Sequence, residues 1–225
     1  MSHRHGRQAA PPAAGAALLI CLFLLVALSL LGLAAASDWQ VQDRINGNLQ
    51  RAGQDQDITR LSSLWAQSWL LGLPGEEAPE PCADECPQGS VIRPQGWLAV
   101  APEFQDLAWW QANAQAAGED PASGVSHSLP GMPGNAQAHW LIEQIHMQSG
   151  VLADDPDAEL GWYRILARGS AGPPGQFLVS ETIVARPWGD ADWRNPFPYT
   201  IGDPRFCLQL GAQMPCGRQS WQSVP

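Results

Sequence analysis

Lysine is absent from this chain of 225 residues, whose 12 basic residues are all arginines, set against 22 aspartates and glutamates for a formal net charge of −10. Only Arg4 and Arg7 precede the long apolar stretch, and every acidic residue follows Ala36. A protein that binds nucleic acid needs a basic face for the phosphates, so this composition argues against nucleic acid as a partner. The acidic part fits a soluble domain that anionic lipid does not attract.

Cofactor motifs are also missing. The sequence contains no glycine-rich phosphate loop, and we therefore expect no cofactor. Ser126 lies in Gly-Val-Ser-His-Ser, which lacks the final glycine of the hydrolase nucleophile elbow. His139 and His146 are seven residues apart, a spacing that puts them on opposite faces of a strand and argues against a shared metal site. The sequence thus predicts no catalytic residues.

One acidic cluster has the chemistry to attract calcium, because calcium prefers carboxylate oxygens. The EF-hand spacing is absent, and Pro156 interrupts the run, so an ordinary acidic turn is favoured over a metal site. The weak calcium candidates are Asp154, Asp155, Asp157 and Glu159.

The five cysteines divide into one single residue and two close pairs. Cys21 lies inside the apolar run, whereas Cys82 is close to Cys86, and Cys207 is close to Cys216. Four cysteines allow three connectivities, and local pairing is favoured by the short separations and the neighbouring prolines. Disulfides indicate an oxidising compartment. A zinc site is the alternative, but the cysteine spacings do not match the common zinc motifs, and no histidine lies near either pair.

The stretch from Ala16 to Ala36 is free of charge. As a helix rising about 1.5 Å per residue, it spans about 30 Å, the thickness of the hydrocarbon core of a bilayer. Arginines before it and aspartates after it place the N-terminus in the cytoplasm. The three alanines that end at Ala36 resemble a signal-peptidase site, but the apolar region is longer than that of a signal peptide, so a retained anchor is favoured.

The segment from Ser37 to Leu71 continues with helical periodicity, because its apolar residues recur at spacings of three and four. Gly47 and Gly53 weaken the helix and predict a bend or a melted turn. Gly72 and Pro74 predict its end. The two apolar stripes are Val41, Ile45 and Leu49, and then Ile58, Leu61, Trp65 and Trp69.

From Pro74 onward the pattern predicts an α+β domain, with the long N-terminal helix packed on an antiparallel β-sheet. Three strands joined by turn-rich segments predict a meander. Weaker patterns predict a short strand, a helix, a long loop and an edge strand. The meander strands are Trp140–Ile145, Trp162–Ala167 and Phe177–Ala185, and the weaker elements are Gln95–Val100, Leu107–Ala117, Pro121–Asn135 and Phe206–Leu210.

These features together resemble a type IV pilin, which has a leader ending in glycine, an apolar run that becomes an amphipathic helix, and a sheet domain closed by a C-terminal cysteine loop. The stretch GAALLICLFLLVALSLLGLAAA, followed by Asp43-Arg44-Ile45-Asn46-Gly47-Asn48-Leu49, resembles the start of PilX-type minor pilins. Residues 162–169 and 175–186 look like the strand–turn–strand pair of that family.

The resemblance implies that a prepilin peptidase cuts after Gly15 and leaves Ala16 as the new N-terminus. Main pilins carry a glutamate as the fifth residue of the mature chain, where it pairs with the amine of a neighbouring subunit, but here that position is Ile20. An unpaired carboxylate in lipid is costly, and a subunit with nothing ahead of it needs no such partner. We therefore expect this subunit at or near the tip of the fibre, in the complex that primes assembly.

The expected organisation is a leader over 1–15, a transmembrane helix over 16–36, an amphipathic helix over 37–73 and a periplasmic α+β domain over 74–225. The chain would be a non-enzymatic, single-pass inner-membrane subunit that is later incorporated into a pilus. The resemblance implies other minor and major pilins as partners, and a large tip adhesin as a further one. Two alternatives stay open: a minor pseudopilin of a type II secretion system, and a membrane-anchored periplasmic enzyme or ligand-binding domain.

Overall fold

The computed structural model describes residues 14–84, 86, 90–98, 101, 104–151, 156–172, 177–195, 205–210 and 214–224. By contacts within the chain it divides into two compact units, Met1–Gln50 and Arg51–Pro225. The chain is α+β, as the sequence predicts. Its elements are α1 (Ala14–Gly72), β1 (Ile92–Arg93), α2 (Leu107–Asn113), β2 (Gln115–Ala116), β3 (Gln137–Ser149), β4 (Glu159–Ser170), β5 (Leu178–Trp188), α3 (Arg205–Leu210) and β6 (Gly217–Val224).

Helix α1 covers the whole segment for which the sequence predicts helix, and it ends at Gly72, as predicted. The melted turn predicted as one possibility near Gly47 and Gly53 is absent, because both residues lie within α1. A Cβ atom added at either glycine would meet nothing within 4 Å. Each glycine costs a helix about 1 kcal/mol, but interrupting the helix would also require a new costly nucleus beyond the break.

The middle of the sheet is the predicted meander, in which β3 pairs with β4 and β4 pairs with β5, both antiparallel. Each strand extends beyond the range predicted from the sequence. Strand β6 pairs antiparallel with β5, while β1 and β2 pair with the other side of β3. Among the described strands only β1 runs parallel to its neighbour.

Strand β3 contains a β-bulge at Ile145, because the pairing of Gln144 with Tyr163 is followed directly by that of His146 with Trp162. An extra residue of this kind reverses the in-and-out alternation of the strand beyond it. The prediction that His139 and His146 lie on opposite faces is therefore wrong, because their partners on β4 are an even number of residues apart. Those partners are about 20 Å apart along the strand, too far for the two imidazoles to share a metal.

The core of the Arg51–Pro225 unit lies on both faces of the sheet. On one face the C-terminal part of α1 packs its tryptophans against β3, β4 and β5, and Trp69 lies 5.5 Å from Trp140 between ring centroids. On the other face Trp110 of α2 is fully buried against apolar residues of the same strands. Helix α2 begins where the Asp106 carboxylate accepts a hydrogen bond from the Trp109 N–H, at 2.8 Å.

One close approach at a glycine and two hydroxyl hydrogen bonds join α1 to the sheet. A Cβ atom on Gly169 of β4 would collide with the backbone and hydroxyl of Thr59, so this position has room only for glycine. The Ser62 hydroxyl donates to the carbonyl of His139 at 2.9 Å, and Ser63 shares a hydrogen bond with Thr182 at 2.8 Å. These small side chains explain why the buried helix face carries Ser and Thr between its tryptophans.

Three predicted elements differ from the structure. Residues 95–98 are not a strand, because Gly96 adopts a left-handed turn (φ +78°); the nearby strand is β1, and residues 99 and 100 lie outside the described residues. The predicted helix Leu107–Ala117 stops at Asn113, and β2 follows. The predicted edge strand Phe206–Leu210 lies within helix α3, in which Leu208 is exposed, whereas the edge strand is β6.

Candidate functional site

The described apolar side chains near the N-terminus of α1 are exposed. From Leu18, which is 76 % exposed, to Leu33, every large apolar residue has more than half of its surface accessible. The first predicted stripe, which begins at Val41, is exposed in the same way. Monomeric soluble proteins rarely leave a continuous apolar surface of this size uncovered, so this part of the helix has the surface of an interaction site.

The polar groups within that apolar stretch are few and are satisfied internally. The Ser29 hydroxyl donates to the carbonyl of Leu25 at 2.7 Å, within the same helix. Such a bond leaves no side-chain polar group in need of water. Cys21 is a free, exposed thiol. Among the described residues, no helix combines the length and the apolarity that a membrane crossing requires.

The residues predicted to direct assembly all lie at the start of α1. Gly15 and Ala16 are within the first turn of the helix, which begins at Ala14, while residues 1–13 of the predicted leader lie outside the described residues. Ile20 is 58 % exposed. The predicted processing and assembly positions are therefore on one continuous helical segment, and cleavage and assembly themselves remain predictions.

The cysteines have the local pairing that the sequence favours. Cys82 is joined to Cys86, with Cα atoms 5.6 Å apart, and Cys207 to Cys216, with Cα atoms 5.2 Å apart. The first disulfide lies beside β1, where the Arg93 guanidinium donates to the Cys82 carbonyl at 3.1 Å. The second joins α3 to the residue before β6, and Cys207 is buried in the main core. This second bridge fixes the start of the edge strand to the domain.

The weak calcium candidates are only partly described. Asp154 and Asp155 lie outside the described residues, whereas Asp157 and Glu159 line a recess together with Glu76. The Glu159 carboxylate accepts a hydrogen bond from the Ser149 hydroxyl at 3.0 Å. Within the described ranges, no three His, Cys, Asp or Glu side chains are grouped so as to hold a metal ion.

His139, one of the two histidines considered above as a metal pair, lies in a buried and positively charged environment. It is only 8 % exposed and lies opposite Arg168 on β4. Burial, together with the positive charge of Arg168, lowers the pKa of His139 from 6.5 to about 4. The imidazole is therefore neutral at pH 7. Its Nδ1 atom is buried and has no hydrogen-bond partner among the described residues.

Buried charges across the strands are the feature that sequence reasoning missed. Glu143 is fully buried and accepts hydrogen bonds from the Arg164 guanidinium, with Nε 2.9 Å from Oε2, and from the Gly96 N–H at 2.7 Å. On β5, the Glu181 carboxylate lies 3.8 Å from the same Arg164 guanidinium, so charged side chains lie side by side across the three strands. A buried carboxylate without such partners would be costly, so these contacts fix β3, β4 and β5 in one register. The signal in the sequence was the presence of charged residues within otherwise apolar strands.

A second buried charged residue donates hydrogen bonds to carbonyls at the C-terminal end of α1. Arg186 of β5 is completely buried and donates to the carbonyls of Leu70 and Leu73, and to that of Trp193 at 3.2 Å. Its guanidinium lies 3.9 Å from the ring centroid of Trp188. Burial lowers the pKa of Arg186 to about 9, but the side chain stays charged at pH 7. These contacts satisfy carbonyls that a helix end leaves without partners.

No protein-family model, no curated protein and no solved structure matches this chain.

Proposed function

We propose that this chain is a minor pilin-like structural subunit that takes part in assembly and priming of a type IV pilus, at or near the tip of the fibre. The observation that carries the proposal is the exposed apolar surface of α1 from Leu18 to Leu49, in a helix whose later residues belong to a sheet domain. A helix of this kind needs lipid or other helices to cover its apolar side chains.

The proposed work of the subunit is assembly and not chemistry. In the proposal, the apolar run Ala16–Ala36 holds the subunit in the inner membrane and later packs against the helices of neighbouring subunits in the fibre. The apolar surface of this helix supports both roles, because lipid tails and apolar side chains of other helices are similar environments. Moving the helix from lipid into the fibre would therefore cost little free energy. The domain with its two disulfides would lie in the periplasm, an oxidising compartment.

Ile20 supports a position at or near the tip. The family places a glutamate there to pair with the amine of a subunit ahead in the fibre, and an isoleucine makes no such pair. A subunit at the tip has no subunit ahead of it. Some minor pseudopilins of type II secretion systems are similar in lacking this glutamate, so a secretion pseudopilus is the nearest alternative. Whether cells that lack this chain lose twitching motility or protein secretion separates the two.

The experiment is to isolate sheared surface fibres and membranes from cells that make this chain, and to measure the mass of its N-terminus in each fraction. We expect the chain in both fractions, starting at Ala16. A photoactivatable crosslinker attached to the exposed thiol of Cys21 should give adducts with helices of other subunits, and Cys21→Ser, which cannot be labelled, should give none. A freely soluble protein that starts at Ser37 or Asp38 and is missing from fibres would refute the proposal.

A further inference from the structure

A groove of about 450 Å³ lies between α1 and the edge strand β6, within the Arg51–Pro225 unit. On the helix side it is lined by a polar stripe that includes Arg60, Ser63 and Gln67, spaced three and four apart. On the strand side it is lined by residues of β6 that include Arg218 and Trp221. This polar stripe of α1 thus forms one wall of the groove.

The charge of this groove is opposite to that of the chain. Its lining residues include two arginines and no carboxylate, in a protein of net charge −10. Arg60 and Arg218 are both exposed, and neither forms a salt bridge with the described residues. The arginines of the strands, such as Arg164 and Arg186, are by contrast engaged inside the domain. The groove is therefore a local cationic site that complements an acidic ligand.

The outer edge of β6, beside the groove, offers main-chain hydrogen-bonding groups. Strand β6 pairs with β5 on one side, and among the described strands none pairs with its other side. A bulge lies between Arg218 and Ser220, but from Ser220 to Val224 the pairing with β5 is regular. This stretch has no charged residue and no proline, the usual protections of a free edge. It is open to the addition of one more strand.

Trp221 supplies an apolar contact at the same place. It lies opposite Thr182 of β5, and the Thr182 hydroxyl is hydrogen-bonded to Ser63 of α1. Residues paired in this way project to the same face of a sheet, so Trp221 is on the α1 side. Its side chain is 38 % exposed, which leaves ring surface for a side chain of a ligand.

We propose that this groove binds an extended acidic peptide segment of another protein, which adds as a strand to the outer edge of β6 from Ser220 to Val224 and pairs its carboxylates with Arg60 and Arg218. Main-chain hydrogen bonds supply affinity in this mode of binding, and arginine–carboxylate pairs supply the selection for acidic segments. The inference goes beyond the proposed function, because it depends only on the Arg51–Pro225 unit and holds whether or not the chain enters a fibre.

The test uses the full-length chain in a mild detergent, titrated with a short fluorescent peptide in which glutamate alternates with valine. Fluorescence anisotropy should show saturable binding that weakens about tenfold in Arg60→Gln/Arg218→Gln. The matched control is Arg194→Gln/Arg205→Gln, which removes the same charge from two other exposed arginines and should bind like the wild type. Hydrogen exchange should slow within residues 220–224 when the peptide is bound.

Further peptides separate strand addition from simple charge attraction. A peptide with every backbone nitrogen methylated keeps its carboxylates but has no N–H group to pair along β6, so its binding should be lost. A polygalacturonate oligomer that binds as tightly as the peptide would overturn the proposal in favour of a general anion groove. Equal weakening in the two arginine pairs, or no saturable binding of the glutamate peptide at millimolar concentration, would also overturn it. None of these outcomes depends on whether the chain is found in fibres.

Discussion

The Arg186 guanidinium donates a hydrogen bond to the Leu70 carbonyl, in the last turn of α1, although the two residues are 116 positions apart in the chain. This bond joins the end of the helix to strand β5. The neighbouring bonds to Leu73 and Trp193 make one buried cation the common partner of three loop and helix carbonyls. The end of the helix and the sheet are therefore stabilised by the same side chain.

Replacing Arg186 with methionine should be strongly destabilising, by about 3 kcal/mol or more. The substitution keeps much of the apolar volume but leaves the buried carbonyls without donors, and each unsatisfied group costs about 1–3 kcal/mol. The free energy of unfolding is measured by urea titration of the solubilised chain, followed by tryptophan fluorescence. Arg194→Met, at an exposed arginine, is the control and should change it by less than about 0.5 kcal/mol. Equal effects of the two substitutions would contradict this role.

Gly169→Ala should cost about 1–3 kcal/mol, because its Cβ atom would push the Thr59 backbone and hence α1 away from the sheet. The matched control is Gly172→Ala, three residues further on, where a Cβ atom meets nothing within 4 Å. We expect the control to unfold at the wild-type urea concentration. If Gly169→Ala unfolds there as well, the close approach of Thr59 does not constrain this position.

His139 should make the domain sensitive to mild acid. Its pKa is about 4 in the folded state, against 6.5 for an unperturbed histidine, so between these values the unfolded chain binds a proton that the folded chain does not. Stability is therefore complete above pH 6.5 and falls by up to about 3 kcal/mol as the pH approaches 4.

The measurement is urea unfolding of the wild type and of His139→Phe at a series of pH values across this window. The phenylalanine variant should lose most of the pH dependence, while His146→Gln, at an exposed histidine, should keep it. A wild-type stability that does not change between pH 6.5 and 4 would show that His139 is not held in its neutral form.

The two disulfides should differ in their contribution to stability. The Cys207–Cys216 bridge closes the longer loop, with a sequence separation of 9 against 4 for Cys82–Cys86. In the chain-entropy account, a bridge of this kind contributes about 2–4 kcal/mol, and more for a longer loop. We expect Cys207→Ser/Cys216→Ser to lower the urea midpoint more than Cys82→Ser/Cys86→Ser, and also to speed hydrogen exchange in β6. The reverse order would contradict the anchoring of β6 by its disulfide.

Ile20→Glu tests the position proposed for the subunit at the fibre tip. A carboxylate without a partner costs about 2.5–3.5 kcal/mol at the centre of a membrane-spanning helix and less towards its ends. The variant should therefore enter membranes and fibres less well than the wild type. Ile20→Leu, which keeps the apolar surface, is the control and should behave as the wild type. Quantitative immunoblots of sheared fibres give the measurement. Unchanged incorporation of the glutamate variant would remove the argument for the tip.

The sheet meander could be predicted because its strands are runs of apolar and aromatic residues bounded by turn residues. The structure lengthens all three, although β5 begins at Leu178 and so omits the predicted Phe177. Helix α3 could not be predicted, because a five-residue apolar run such as Phe206–Leu210 has too few turns for periodicity to separate helix from strand. Its exposed Leu208 is the residue that a strand pattern assigns to the buried face.

The buried arginines and Glu143 escaped prediction for a different reason. Charged residues are assigned to the surface by default, and only the pairing of strands brings Arg164 beside Glu143, or Arg186 beneath the end of α1. The polar groove beside β6 was equally hidden, because it joins a stripe of α1 to a strand more than 150 residues later in the chain. Within the candidate site, the apolar part of α1 could be predicted from the composition of the sequence alone.

The bulge at Ile145 shifts the alternation of side chains between the two faces of β3 by one residue. Before it, Trp140 and Ile142 face α1, and after it Met147 packs against the same core. If Ile145 paired as an ordinary strand residue, the alternation would turn the imidazole of His146 towards the core under α1 and the thioether of Met147 away from it. The bulge absorbs this one extra position, so that a strand of 13 residues keeps the same interior along its whole length.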